Sequence, residues 1–338
     1  MIEFRNGGKP VRLEAGGTHA SEIGNSYRDT SEKSLRILIA QVESGAPWRD
    51  AVQKRFAGSH PWLARIVTDP SRDLFFRLHA PAPASKVLDV GAGWGQISLP
   101  LARAGHEVTA LEPTPERLAF IRAAAAQDGT AGRIHFVQGD FLEIDFDTKF
   151  DLIACIGVLE WVPRFSKGEP RALQVDFLRR ARAALAPGGS LVIGIENRLG
   201  LKYLLGARDD HLAVPGVAVL DHQLADAKWR ALKGEPLRCL THTRTELRDL
   251  LAEAGLALTE HYAAFPDYKL PQSILGMGAA VDEFFSSGNF IPEHDGVDGT
   301  ALPFQDELRS HYRSLAALGI ASDFAPSFFV VARAESPS

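Results

Sequence analysis

The chain has 338 residues, 45% of them hydrophobic, and a formal net charge of -5. Its length exceeds the ~150 residues of a typical single domain, so a catalytic core with large additions, or two domains, is expected. The acidic balance argues against a nucleic-acid partner, and no apolar run approaches the ~20 residues that span a bilayer.

Two cysteines, Cys155 and Cys239, show neither Cys-x-x-Cys spacing nor histidines at metal spacing, so no metal site is expected and Cys155 reads as a small buried hydrophobe. The opening Met-Ile-Glu-Phe-Arg lacks the pattern of a signal peptide, and a cytoplasmic location without integral membrane contact is expected. No feature sets an oligomeric state.

Residues 1–29 are rich in Gly, Ser, Asn and charge without a sustained period, and read as an irregular arm or a short hairpin. From 30 to 80 apolar residues recur at helical spacing (Leu35, Ile37, Leu38, Val42, then Trp48, Val52, Phe56, then Trp62, Leu63, Ile66), broken by Gly45, Pro47, Pro61 and Pro70. This predicts a helical cap whose tryptophans pack in its core.

The run from Lys86 to Gln96 closes an apolar strand on Gly91, Gly93 and Gly95, with Asp89 just before the first glycine and Ala92 between the first two. Gly91 and Gly93 allow positive φ and leave no Cβ between backbone and ligand, while Gly95 lets a helix over 96–104 start against the strand. Dinucleotide enzymes carry G-x-G-x-x-G here, but position 96 is Gln and Asp89 opposes an approaching pyrophosphate. A carboxylate suits an ammonium with a sulfonium nearby, so the loop favours S-adenosylmethionine over NAD.

A strand over 106–112 ends in Glu112, about 20 residues past the glycines, where a carboxylate meets two ribose hydroxyls. The next strand, 133–138, runs into Gly139-Asp140-Phe141, with Asp140 placed to accept from an adenine amino group and Phe141 to cover the ring. A fourth strand over 150–157 leads to Glu160, and a helix from Arg171 stops at Pro187-Gly188-Gly189 before a strand over 190–195. Strands alternating with helices imply an α/β fold with a parallel sheet. Further on, Thr243-Arg-Thr-Glu246 forms a capping box that starts a helix, and the last two strands fall at 256–265 and 326–334.

Residues 86–196 resemble the class I S-adenosylmethionine-dependent methyltransferases, through Asp89-x-Gly91-x-Gly93-x-Gly95, Glu112, Gly139-Asp140, Phe150-Asp151 and Ala186-Pro-Gly-Gly189. The resemblance implies a Rossmann-like, mostly parallel sheet with the last strand antiparallel. It implies that Asp89, Gly91, Ala92, Gly93, Gly95, Glu112, Pro113, Gly139, Asp140, Phe141, Ile156 and Gly157 border the cofactor, with the turn after Ile156 facing the sulfonium. Two strings, Glu196-Asn-Arg-Leu-Gly-Leu-Lys-Tyr203 with Asp209-Asp-His211, and Pro266-Asp-Tyr-Lys-Leu-Pro271, resemble a subgroup found in lipopolysaccharide and capsule polysaccharide biosynthesis.

The expected organisation is an N-terminal arm and helical cap (1–80), a cofactor-binding core (81–196), an insertion or lid (197–240), core continued (241–265), a second insertion (266–325), and the last core strand with its tail (326–338). Both insertions are expected at the carboxyl ends of the strands as walls of the acceptor site. For an alcohol acceptor a base is needed. His211 is the first choice, oriented by Asp209 or Asp210, and Glu160, just beyond the fourth strand, competes with it. Asp210, Tyr268 and Lys269 are candidate substrate contacts. The predicted function is methyl transfer to a small-molecule or glycan-linked acceptor, foremost a sugar hydroxyl. The alternatives are a nitrogen or carboxylate of a secondary metabolite, and a scaffold that binds the cofactor without turnover.

Overall fold

The structure is a computed structural model that describes residues 1–21, 28–289, 293–296 and 298–335. It divides into two compact units, one of residues 1–156 with 179–192, the other of residues 157–178 with 193–335.

In the first unit, β1 (Ile2–Asn6) and β2 (Lys9–Leu13) form an antiparallel hairpin, so the start of the N-terminal segment is ordered as the hairpin alternative. A two-residue strand, β3 (Thr18–His19), follows. The helical cap is α1 (Glu32–Glu43), α2 (Trp48–Phe56), α3 (Pro61–Thr68) and α4 (Leu74–Leu78), with Ser31 capping α1 through the Ser34 amide. Trp48 is buried edge-on against Phe120, 6.0 Å between ring centroids, as core packing.

The parallel strands are β4 (Lys86–Val90), β5 (Glu107–Glu112), β6 (Ile134–Gln138) and β8 (Phe150–Ile156), with β7 (Ile144–Phe146) pairing back onto β1. Together with β9 (Leu185–Glu196) their order is β9-β8-β4-β5-β6-β3. These strands are buried on both faces, which is why they read as continuous apolar runs. Helices α5 (Ser98–Arg103) and α6 (Pro115–Gln127) cover them, followed in the chain by α7 (Val162–Phe165) and α8 (Pro170–Ala184). The helix after the glycine loop starts at Ser98 rather than at 96, because the Gln96 side chain instead accepts from the Trp94 amide at 3.1 Å and closes the loop.

Pro187-Gly188-Gly189 does not separate helix from strand as its composition suggests. The helix stops at Ala184, and the tripeptide lies inside β9. Gly188 takes φ 77°, and Gly189 lies against β8, where a Cβ would come within 2.7 Å of the Phe150 carbonyl oxygen and 3.0 Å of that of Ala186.

In the second unit the strand order is β11-β10-β12-β9, from β10 (Leu256–Phe265), β11 (Ser273–Gly276), β12 (Ser327–Ala334) and the end of β9. β10 runs antiparallel to both β11 and β12, so the last strands are antiparallel as the resemblance implies. The segment at 197–240 carries α9 (Leu201–Leu204) and α10 (His222–Lys233). Next comes α11 (Arg244–Glu253), started by the expected capping box of Thr243 and Glu246. The segment at 266–325 carries β11, α12 (Ala279–Ser286) and α13 (Gln305–Ala317).

The close approach of β8 and β9 yields a stability test. Gly189→Ala should destabilise the protein by about 1–3 kcal/mol, the range for forcing a methyl group into a packed interior, measured by urea unfolding. An unchanged midpoint would mean that the strands can part to admit a side chain there.

Candidate functional site

The glycine loop is assembled entirely within the first unit. Register places Asp89 opposite Ala110, and Val90 between Leu111 and Cys155, so the chain leaves β4 between the ends of β5 and β8. Gly91, Gly93 and Gly95 have φ of 67°, 56° and 81°, which L side chains rarely adopt. The loop is pinned by Ala92 N donating to Leu111 O (2.9 Å) and by Gly95 N donating to Ala92 O (2.8 Å). Trp94 anchors it from below. Its ring is buried against Phe56 and Phe120, and its Nε1 donates to Asp29 at 2.9 Å.

Glu112 closes the other side of the loop. Its Oε2 accepts from Gly93 N (2.9 Å), its Oε1 accepts from Thr114 N (3.0 Å), and Arg117 stands 3.7 Å away. Burial raises its pKa, against the pull of Arg117 and these amides. Each carboxylate oxygen keeps a second lone pair, enough for a ribose diol. A Cβ at Gly93 would sit in ordinary contact with Gln96 Oε1 at 3.6 Å and the Gly91 carbonyl oxygen at 3.7 Å, so it is the positive φ rather than lack of room that calls for glycine there. Asp89 is buried and accepts from Ser98 Oγ at 2.6 Å; burial pushes its pKa up to about 7.

Pairing of Glu112 with Gln138 brings Gly139 and Asp140 beside the end of β5. Asp140 is tied into a turn by accepting from Leu142 N at 2.9 Å, and Phe141 is buried with its ring 6.5 Å from that of Phe146. Pro113 follows Glu112 directly, and Ile156 ends β8.

A second site lies wholly within the second unit, and it brings together residues more than 100 positions apart. His211 is buried with Nε2 at 3.4 Å from Glu160 Oε1 and 3.3 Å from Glu196 Oε2. Lys269 contacts the other oxygen of Glu196 and lies 3.1 Å from Asp210, which also receives Lys202 at 2.9 Å. Tyr268 donates its hydroxyl toward Glu160 Oε1 at 3.5 Å. That hydroxyl stands over Gly157, where a Cβ would be 2.6 Å away.

The two residues expected to compete as base, His211 and Glu160, are thus neighbours, and Asp210, Tyr268 and Lys269 belong to the same cluster. The expected orienting acids are corrected. Asp210 is taken by two lysines, while Asp209 accepts from the amides of His211 and Leu212 (both 2.8 Å) and stays 3.8 Å from the ring. Trp161 packs edge-on against the imidazole at 5.0 Å. Glu196 and Lys202 are the members that reasoning from sequence left without a role. The signal for Glu196 was present, since it ends β9 as Glu112 ends β5.

The electrostatics follow from burial and pairing. Burial works against a charged imidazole, but the Glu196 charge and the nearness of Glu160 hold the His211 pKa well above its ordinary value. Burial would also raise Glu196, yet His211 and Lys269 hold it well below the usual range, whereas burial lifts Glu160. Cys239 is buried and its thiol is pushed up, which leaves it no nucleophilic role.

Residues 87–189 match a family described as a methyltransferase domain. The ubiquinone biosynthesis O-methyltransferase of Rickettsia conorii is 30% identical over 121 residues, covering 36% of this chain and 38% of that protein. The mitochondrial ubiquinone biosynthesis O-methyltransferase of Schizosaccharomyces pombe is 33% identical over 121 residues, covering 36% and 41%. The chain therefore spans about two-fifths of the length of these relatives. Among solved structures, the CcbJ methyltransferase of Streptomyces caelestis aligns with a TM-score of 0.49 at 19% identity, over 79% of this chain and 90% of that one.

Proposed function

We propose that this chain, whose residues 87–189 match a methyltransferase-domain family, transfers a methyl group from S-adenosylmethionine to the hydroxyl of a polar, sugar-like acceptor. The observation that carries the reading is that one chain holds both a glycine loop pinned by the Glu112 carboxylate, in its first unit, and a buried cluster built around His211, in its second.

S-adenosylmethionine, when bound, supplies a methyl group already activated on its sulfonium. Asp89 would pair with the ammonium of its amino-acid portion, Glu112 would take the ribose diol, and Asp140 would accept from the adenine amino group. The chain's remaining task is to align the acceptor, exclude water and relieve the hydroxyl of its proton. The proton would pass to His211 once its imidazole has given up the proton that Glu196 favours on it, with Glu160 as the competing acceptor, while the methyl–sulfur bond breaks and its electron pair stays on sulfur. Tyr268 and Lys269, at its edge, hold neighbouring hydroxyls. A wall of buried ammonium and carboxylate groups suits a polyhydroxylated acceptor and disfavours a large apolar one, because unmatched charge against hydrocarbon is destabilising. This favours a sugar over the ubiquinone-pathway acceptor that the relatives' names suggest.

Calorimetry tests the cofactor half. S-adenosylmethionine and its demethylated product should bind and NAD should not, and Glu112→Ala should weaken binding by roughly 1–3 kcal/mol, the scale of lost charge-assisted hydrogen bonds. With Asp89 pushed up to about 7, its carboxyl is mostly neutral below that pH and cannot pair with an ammonium. The affinity advantage of the wild type over Asp89→Asn should therefore grow between pH 6 and 7.5; a constant ratio would remove Asp89 from the ammonium site.

Transfer of labelled methyl to a panel of sugar nucleotides, with a catechol for comparison, tests the acceptor half. His211→Ala should lower the chemical rate by about 100-fold or more, the scale of losing proton-transfer assistance, with cofactor affinity unchanged. Preferential methylation of the catechol would sink the sugar assignment, and equal rates for His211→Ala and wild type would sink the role of the cluster.

A further inference from the structure

The cluster around His211 has the right distances for more than proton exchange. Glu160 Oε2, Glu196 Oε2 and His211 Nε2 are buried atoms without a well-formed hydrogen bond. One ligand atom from each of the three residues lies within 4.8 Å of the others. At 3.3 and 3.4 Å, His211 Nε2 is too far from either carboxylate for a strong hydrogen bond. A cation about 2.1 Å from His211 Nε2 and from the near oxygen of either glutamate, Glu160 Oε1 or Glu196 Oε2, would subtend about 105° between nitrogen and oxygen, close to tetrahedral.

The charges agree with the distances. The groups linked here by contacts of 4 Å or less include four carboxylates (Glu160, Glu196, Asp209, Asp210) and two ammonium groups (Lys202, Lys269). With the carboxylates ionised and the imidazole proton displaced, as an entering cation requires, two negative charges remain, the complement of one divalent cation. The lysines leave the position open: Lys202 is held by Asp210, and Lys269 lies between Asp210 and the far oxygen of Glu196. The other cluster of metal-binding residue types among the described residues, His222, His242 and Glu246, is already engaged. His242 Nε2 faces Gln174 Oε1 at 2.8 Å, and Glu246 takes both arms of the Arg198 guanidinium and the Thr243 amide.

We propose that Glu160, Glu196 and His211 bind one divalent cation of the first transition row, Zn²⁺ or Mn²⁺, with a fourth position for an oxygen ligand. One imidazole and two carboxylates suit this class of ion better than Mg²⁺ or a soft monovalent metal. The cation site stands on these distances alone; its use rests on the methyltransferase reading, in which the fourth ligand is the acceptor hydroxyl, made more acidic by the ion.

The test is calorimetric titration of the chelator-treated full chain with Zn²⁺ and with Mn²⁺, the latter also followed by electron paramagnetic resonance. One equivalent should bind, and His211→Ala, Glu160→Gln and Glu196→Gln should each weaken binding by at least about 100-fold, since even outer-shell changes reach that size. His222→Ala should leave it unchanged. Retained S-adenosylmethionine binding in the same variants shows that they are folded. Binding no tighter than about 1 mM, binding that survives His211→Ala, or binding lost in His222→Ala would overturn the site. Stoichiometric binding that depends on the three residues, in a protein that methylates nothing, would uphold the site and overturn the methyltransferase reading. Methyl transfer undiminished by chelator in a protein that binds neither ion would do the reverse.

Discussion

The second unit depends on one constraint: carboxylates buried together must each find a positive partner. The chain Lys202–Asp210–Lys269–Glu196 meets it by joining three separate stretches of sequence, the end of β9, the segment beyond it and the loop after β10. Removing one member of such a chain leaves its partner charged and buried, which typically costs 3–5 kcal/mol. The path of residues 197–211 therefore follows from charge pairing as much as from apolar burial, and His211 arrives between Glu160 and Glu196 as a consequence. Arg198 adds a second anchor, gripping Glu246 at 2.7 Å through two nitrogens and holding its carboxyl down to about 2, so the capping box of α11 also ties down the start of the segment.

The first unit solves a different problem with the same residue type. A glycine loop has little side-chain packing to hold it, and its geometry must come from hydrogen bonds and from the one large side chain it contains. Glu112 supplies the first by accepting from Gly93 and Thr114, which fixes the loop relative to β5. Trp94 supplies the second, buried against the helical cap through Phe56. The cap thus holds the loop through the buried Trp94 ring.

How far the sequence was legible depended on how local the determining physics was. The parallel strands emerged within a residue or so of their observed ends, because burial on both faces leaves an apolar run bounded by turns. Thr243 and Glu246 were readable as a cap because both hydrogen bonds close within four residues. Pro187-Gly188-Gly189 misled because its composition says turn, whereas Gly189 serves the packing of β9 on β8, a contact with residues about 40 positions away. The hairpin of β1 and β2 was one of two open alternatives, since five-residue strands carry too few alternations to decide. His211 and Glu160 were each identifiable as candidate bases, but as rivals: their proximity is a product of the tertiary fold and leaves no trace in spacing.

That proximity changes what either residue can do. A lone loop histidine exchanges protons near its ordinary pKa, and a lone buried glutamate is pushed up until it is neutral. Placed together with Glu196, each alters the other: the imidazole is favoured in its charged form, Glu196 in its ionised form, and Glu160 is left as the carboxyl that burial still lifts. The Lys269 ammonium sets this order by spending its charge on Glu196 and Asp210 rather than on Glu160. The three groups are consequently a single charged unit whose state is set by how many positive charges, protons or a metal ion, occupy the space among them.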